Sequence, residues 1–258
     1  MCLAILILML VHIPLKANDN DQQIGFLDPY IEKLTFGSLK IGGSVAFEYR
    51  YADYGEEDSG AGDFDFSNAK LNLSFNQGPF TAQLKYGFYY YDKPGRWVNW
   101  LQYAWVDYTF SPDHQVRLGI NKVPFGLLPY SSVSWYESLS YYVGLEDDND
   151  LGIKYRGKFG QWDLQLGFYL TDEGSYAGES NDSARYSFDL ARDEGAGNQE
   201  KNQFNLRLGY NFFHSQAVRA ELGFSLQYGQ IHNVVTNRDG DHYAFAVHME
   251  GDYAILST

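Results

Sequence analysis

Hydrophobic and polar residues alternate along most of the chain beyond residue 37. From Phe80 to Tyr90 every second residue is apolar or aromatic, and Thr81, Gln83 and Lys85 lie at positions between them. Successive side chains of a β-strand point to opposite faces, so each such segment has one apolar face and one polar face. About ten segments of this kind predict an all-β, antiparallel protein.

The lengths of the segments and of their connections favour a membrane protein. The segments are about ten residues long, which suits strands that cross a bilayer at a tilt and exceeds the usual strand of a β-sandwich. Residues 76–79 form a tight turn, whereas residues 51–65, 122–149 and 172–202 form long connections. Outer-membrane barrels combine short periplasmic turns with long external loops. We therefore expect an antiparallel transmembrane β-barrel. A soluble sandwich or lipocalin-like barrel is the alternative that the alternation alone allows.

The N-terminal residues 1–17 have the character of a signal peptide. Their apolar run is too short for a transmembrane helix, and the small residue Ala17 provides a cleavage point, although the usual basic start is missing. We expect an exported protein with a leader at 18–37 and a barrel over 38–258. The single cysteine, Cys2, lies in the predicted signal peptide, so no disulfide is expected in the mature chain.

Charge is divided between loops and strands. The net charge of −14 disfavours a nucleic-acid-binding protein, which would carry a basic patch. The long connections are acidic but lack EF-hand spacing, so we predict neither a metal site nor a cofactor. The polar strand faces are mainly basic. They would either line a lumen that favours anions or pair their charges across strands. The predicted pore-lining residues are Lys40, Arg50, Lys70, Lys85, Arg117, Lys154, Arg156, Arg207 and Arg219.

The connection 122–149 is unusually apolar and aromatic for an exposed loop. Pro124 and Gly126 interrupt regular structure, and side chains such as Trp135 and Tyr136 require burial. Folding into the barrel would bury them and narrow the pore. Packing over the rim or against a neighbouring subunit is the alternative. The predicted constriction residues are Tyr130, Ser131, Ser132, Ser134, Trp135, Tyr136 and Glu137.

Sequence motifs on both sides of this connection resemble those of known porins. They are Asn-Lys-Val-Pro-Phe-Gly at 121–126, Gly-Leu-Glu-Asp-Asp-Asn-Asp-Leu-Gly-Ile-Lys-Tyr at 144–155, and Ala-Trp-Val-Asp-Tyr at 104–108. With these motifs the chain resembles bacterial outer-membrane porins, in particular the phosphate-selective porin O and P family.

The resemblance implies a trimeric diffusion channel of about sixteen strands with an infolded third loop. This sequence departs from the family in lacking a dense ladder of lysine and arginine residues. It also ends at Thr258 without a terminal aromatic residue. We therefore expect a chain that is incomplete at its C-terminus and contains about ten of those strands.

We expect a passive, water-filled channel for small hydrophilic solutes in the outer membrane of a Gram-negative bacterium. A preference for anions such as phosphate is part of this expectation, as are contacts with lipid and lipopolysaccharide. A non-channel structural or adhesion barrel is one alternative. A small barrel hydrolase is another, and it would need a histidine with a carboxylate at the rim. The cluster considered for it is His232 and His242 near Asp239 and Asp241. We predict that the protein is not an enzyme.

Overall fold

The computed structural model is all-β, and consecutive strands pair in an antiparallel manner in chain order. The structure describes residues 5–13, 38–50, 63–91, 96–127, 145, 148–172, 198–214, 218–233 and 235–253. The strands are β1 (Ile5–Ile13), β2 (Ser38–Arg50), β3 (Asp63–Gln77), β4 (Phe80–Tyr91), β5 (Arg96–Ser111), β6 (His114–Lys122), β7 (Asn149–Phe159), β8 (Trp162–Asp172), β9 (Asn198–His214), β10 (Val218–Asn233) and β11 (Arg238–Tyr253).

The antiparallel all-β fold expected from the alternation is confirmed, and the ten expected segments correspond to β2–β11. The eleventh strand, β1, lies within the predicted signal peptide and pairs along its whole length with β2. An apolar run beside a strand edge can satisfy its backbone hydrogen bonds by such pairing. The signal-peptide assignment remains a prediction, and the leader at 18–37 lies outside the described residues.

Short turns connect strands at the points that the sequence indicates. Gly78 between β3 and β4 has φ +56°, and Gly160 between β7 and β8 has φ +62°. Residues with a Cβ rarely adopt this left-handed conformation, so glycine allows the chain to reverse within two residues. The long connection 122–149 is bounded by strands as expected, because β6 ends at Lys122 and β7 begins at Asn149.

The chain divides into two compact units, Met1–Leu101 and Gln102–Thr258. In the first unit, residues directly opposite each other on neighbouring strands share a face. Lys70 on β3 lies opposite Ser44 on β2 and Gly87 on β4. The apolar face of this unit carries an aromatic group in which Phe66 contacts Phe47 and Trp97 with ring centroids 5.9 and 5.3 Å apart.

The second unit buries its polar face and exposes its apolar face. On β11, Tyr243 is 78% exposed and Phe245, Val247 and Met249 are exposed as well. On the opposite face, Ser225 of β10 is completely buried. A protein surrounded by water shows the reverse distribution, because burial of apolar groups stabilises it. An exposed apolar band on alternate strand positions is suited to contact with lipid hydrocarbon. In the part of the chain that the structure describes, no helix has the length and apolar character needed to cross a membrane.

Candidate functional site

The candidate site is the polar face of the second unit. Strand register places residues from six neighbouring strands side by side across this face, because directly opposite residues of antiparallel strands point to the same side. Period-2 alternation in each strand supplies the polar side chains. One such set of opposite residues is Asp107, Arg117, Lys154, Gly167, Asn205 and Gln227.

Arg117 of β6 is held by two groups of β5. Its Nε and Nη2 atoms donate to the two carboxylate oxygens of Asp107, each at 2.7 Å. Its guanidinium carbon also lies 3.5 Å from the centroid of the Trp105 ring. A two-point guanidinium–carboxylate pair is among the strongest hydrogen-bonded arrangements in proteins, and stacking on an aromatic ring adds to it. The positive charge of Arg117 is therefore fixed and compensated within the wall.

Arg156 of β7 is paired with an acidic residue of β8. Its Nη2 atom donates to Asp163 Oδ2 at 2.9 Å, and its Nε atom donates to the same oxygen at 3.2 Å. The Gln165 amide donates to the other oxygen of Asp163 at 3.0 Å. Because Asp163 is buried, these donors compensate for the water that the carboxylate loses.

Arg207 of β9 is the centre of the most buried ionic group among the described residues. Its Nη2 atom donates to Glu221 Oε1 at 2.5 Å and lies 3.1 Å from His248 Nε2. Its Nη1 atom lies 3.8 Å from Asp163 Oδ1. The side chain is only 4% exposed, and a buried charge needs such compensation because removal from water is costly. Arg207 thus connects acidic groups on both neighbouring strands.

Glycines make room for this ionic group on the face of the sheet. A Cβ added to Gly223 would lie 2.0 Å from the His248 ring, and one added to Gly209 would lie 2.6 Å from the Glu221 carboxylate carbon. Both distances are far below van der Waals contact. The His248 and Glu221 side chains can therefore lie flat against the backbone and reach Arg207.

The chain that follows β6 lies on the same polar face. Val123 and Phe125 are buried in a cluster with Tyr169 of β8, and Ala246 of β11 packs against this cluster. Gly126 follows Phe125 and has a φ of +63°, a left-handed conformation that glycine adopts without strain. We call residues 123–127 the infolded segment.

Two residues of β9 and β10 bind the infolded segment at Gly126. Arg207 Nε donates to the Gly126 carbonyl oxygen at 2.8 Å, and the Gly126 amide donates to Ser225 Oγ at 3.0 Å. Arg207 and Ser225 are directly opposite on paired strands. The segment therefore reaches from β6 to β9 and β10 across the polar face.

A group of acidic residues lies at the loop end of the same unit. Asp148, Asp150 and Glu200 are buried, and one carboxylate oxygen of each lies within 4.8 Å of those of the other two. Oxygen ligands at this spacing are of the kind that hold Ca²⁺ or Mg²⁺. Nearby, Lys154 Nζ donates to the Lys122 carbonyl oxygen at 2.6 Å. These three carboxylates could supply part of the ligand set of a divalent cation.

The predicted pore-lining residues are placed as follows. Lys40, Lys70 and Lys85 share the polar face of the first unit. Arg117, Lys154, Arg156 and Arg207 share the polar face of the second unit. The side chains of Arg50 and Arg219 lie outside the described residues, as do all seven predicted constriction residues (Tyr130, Ser131, Ser132, Ser134, Trp135, Tyr136 and Glu137). The constriction assignment therefore remains a prediction.

Sequence reasoning missed several acidic residues of this face. Asp107 is buried on β5, where aromatic residues on both faces obscure the alternation. Asp172 and Glu200 were expected in an acidic external loop but are buried at the ends of β8 and β9. Continuing the alternation of β7 back from Lys154 and Gly152 would have placed Asp150 on this face.

The histidines considered for a hydrolase lie on paired strands rather than in a loop. His232 Nδ1 is 2.7 Å from Asp239 Oδ1, and the Asp239 side chain is 83% exposed. His242 is buried on β11, and its Nε2 atom lies 2.4 Å from the position that a Cβ on Gly229 would occupy. The two histidines therefore have different surroundings and do not share one carboxylate.

A comparison with known families identifies the chain. The model of the family described as phosphate-selective porin O and P matches residues 39–239, which is more than half of the sequence. The chain belongs to this porin family. No curated protein matches it. Membership confirms the resemblance seen in the motifs and assigns the chain to a family of outer-membrane channels rather than enzymes. The match spans nearly all of β2–β10, the strands that carry both polar faces.

Proposed function

We propose that this porin forms a passive, water-filled channel through which small hydrophilic solutes diffuse across the outer membrane. The observation that carries the proposal is the inverted burial of the second unit, with exposed apolar side chains on one face and polar side chains on the other. In a transmembrane barrel the apolar face contacts lipid and the polar face lines the lumen. Hydrogen-bonding groups on that face can replace part of the water around a passing solute.

The infolded segment supports a restricted channel rather than a wide opening. Gly126 is bound to the wall by Arg207 and Ser225, so this part of the chain occupies space on the polar face. A segment in this position reduces the cross-section that solutes can use. We propose that the rest of the connection 122–149, with its predicted constriction residues, continues this narrowing.

Export by an N-terminal signal peptide, contact with lipid and lipopolysaccharide, and assembly as a homotrimer complete the proposal. They are supported by the apolar run at the N-terminus and by family membership. The anion preference inferred from the sequence depends on whether the basic residues of the wall have donors available to a solute.

Liposome swelling tests the channel directly. Purified full-length protein in vesicles should allow uncharged sugars to enter, and the swelling rate should fall as sugar size increases, because the infolded segment limits the opening. The control is vesicles that contain the same protein denatured before reconstitution. Absence of swelling with folded, membrane-inserted protein would contradict the proposal and favour the structural or adhesion barrel.

A further inference from the structure

Three arginines on the polar face of the second unit have their donors directed at protein acceptors. We call Arg117, Arg156 and Arg207 the guanidinium row. Both donors described for Arg117 point to Asp107, and both described for Arg156 point to Asp163. Those of Arg207 point to Glu221 and to the carbonyl of Gly126. These N–H groups already make the bonds that a solute anion would need.

Access differs among the three arginines, because the Arg156 side chain is 43% exposed whereas Arg117 and Arg207 are less accessible. The Arg207 side chain is 4% exposed, and Arg117 is 20% exposed with one face covered by the Trp105 ring. Recognition of phosphate requires N–H donors that can form short, charge-assisted hydrogen bonds with its oxygens. Through the N–H groups described, an anion could engage these two guanidiniums only by displacing an acceptor of the wall. Each arginine–carboxylate pair has a small electrostatic field at a distance, because its opposite charges lie within hydrogen-bonding distance and largely cancel.

The geometry at Arg207 shows why an arginine is required there. Its Nε atom binds the infolded segment while its Nη2 atom binds Glu221 on β10, so one planar group serves two partners in fixed directions. A lysine has the same charge but a single ammonium group and no planar fork. Charge alone would therefore not reproduce this arrangement.

We propose that the guanidinium row positions the channel wall and the infolded segment and does not bind permeating anions. Arg207 fixes the segment at Gly126, and Ser225 is the second attachment. This inference rests on the proposed channel function, since it specifies which residues set the opening. Solutes pass this wall according to size, without phosphate recognition by the row.

Single-channel currents of the full-length protein in potassium chloride test the positioning role. Arg207→Gln should raise the mean conductance and its fluctuations, because the segment loses its attachment. Arg207→Lys should behave like Arg207→Gln, since it retains the charge but loses the fork. Ser225→Ala should act in the same direction more weakly, and it leaves every buried charge in place should the arginine variants fail to fold.

Arg238→Gln is the matched control for charge. Arg238 is an exposed arginine at the start of β11, directly opposite Asn233 and away from the ionic group of Arg207 in the strand register. The single-channel conductance of this control variant should equal that of the wild type. The positioning role is refuted if Arg207→Lys and Ser225→Ala both conduct like the wild type.

Inorganic phosphate tests the second half of the inference. Block of the chloride current by phosphate should occur at the same concentration in the wild type and in the double variants Arg117→Gln/Asp107→Asn and Arg156→Gln/Asp163→Asn, in which both charges of a pair are removed together. A phosphate-binding row would instead lose affinity by about tenfold or more for each arginine removed, because each charge-assisted hydrogen bond contributes that much. Such a loss, together with retained block in Arg207→Lys, would overturn the proposal.

Phosphate binding to the folded, detergent-solubilised protein provides a second measurement that needs no current. Equal affinity in the wild type and the two variants, or no binding in any of them, supports the inference. Weaker binding in the variants refutes it. A protein that folds but carries no current contradicts the proposed channel, and the binding result still decides the role of the row.

Discussion

The ionic group around Arg207 depends on a position that has no side chain. Gly223 leaves the space in which the His248 imidazole lies, and that ring contacts both Arg207 and Glu221. The positions of the arginines on the polar face could be predicted from alternation alone. Their partners could not, because a partner such as Glu221 or Gly126 is distant in sequence from Arg207.

Replacement of Gly223 by alanine should therefore destabilise the protein. The added Cβ would overlap the His248 ring and force it away from Glu221, at a cost on the order of 1–3 kcal/mol for overpacking. The free energy of unfolding in detergent, measured by denaturant titration, checks this. Gly42→Ala is the control, because a Cβ at Gly42 meets nothing within 4 Å. Equal stability of the two variants would show that His248 adjusts at no cost.

Asp163→Asn should lower stability as well. The Asp163 carboxylate accepts from Arg156 and Gln165 and lies 3.8 Å from Arg207, so its neutralisation leaves the buried Arg207 charge less well compensated. The expected loss is about 1–3 kcal/mol in unfolding free energy. Asp113→Asn, at an exposed turn residue, is the control and should have no effect. An unchanged unfolding midpoint in Asp163→Asn would mean that Glu221 alone compensates the charge.

At the scale of strands, the sequence was most informative where alternation is regular. The end of β6 at Lys122 and the start of β7 at Asn149 coincide with the predicted limits of the long connection. The start of β9 at Asn198 differs from the expectation, which places residues 172–202 in a loop. Asn202 has φ +50°, and the β9–β10 register shifts between Tyr228 and Gln230. Such an irregularity breaks the period of two on which the prediction relies.

The apolar face of β7 and β8 gives a prediction about membrane depth. Leu166 lies near the middle of β8 and Phe159 lies at the end of β7 beside the turn, and both are about half exposed. Leu166→Arg should cost about 2–4 kcal/mol in a bilayer, whereas Phe159→Arg should cost about 0–1 kcal/mol near the interface. Unfolding free energies in lipid vesicles measure both. Equal costs for the two substitutions would contradict the proposed orientation of this face toward lipid.

At the scale of the whole molecule, the proposed channel requires the two faces of the strands to contact different media. Exposed Tyr243, Phe245 and Met249 require an apolar environment, and the buried polar face requires its own network of bonds. Family membership places this arrangement in an outer-membrane porin. The fold class could be predicted from the sequence because each strand repeats the same simple pattern. The infolded segment's attachment could not, because it depends on contacts between residues 126 and 225.

Ion conductance of the purified full-length protein in a planar lipid bilayer is the most direct test of the proposed channel. We expect stepwise current increases as single proteins insert, with a current proportional to voltage, because a water-filled passage needs no moving gate. Protein that is folded and inserted in the bilayer but gives no current steps would contradict it.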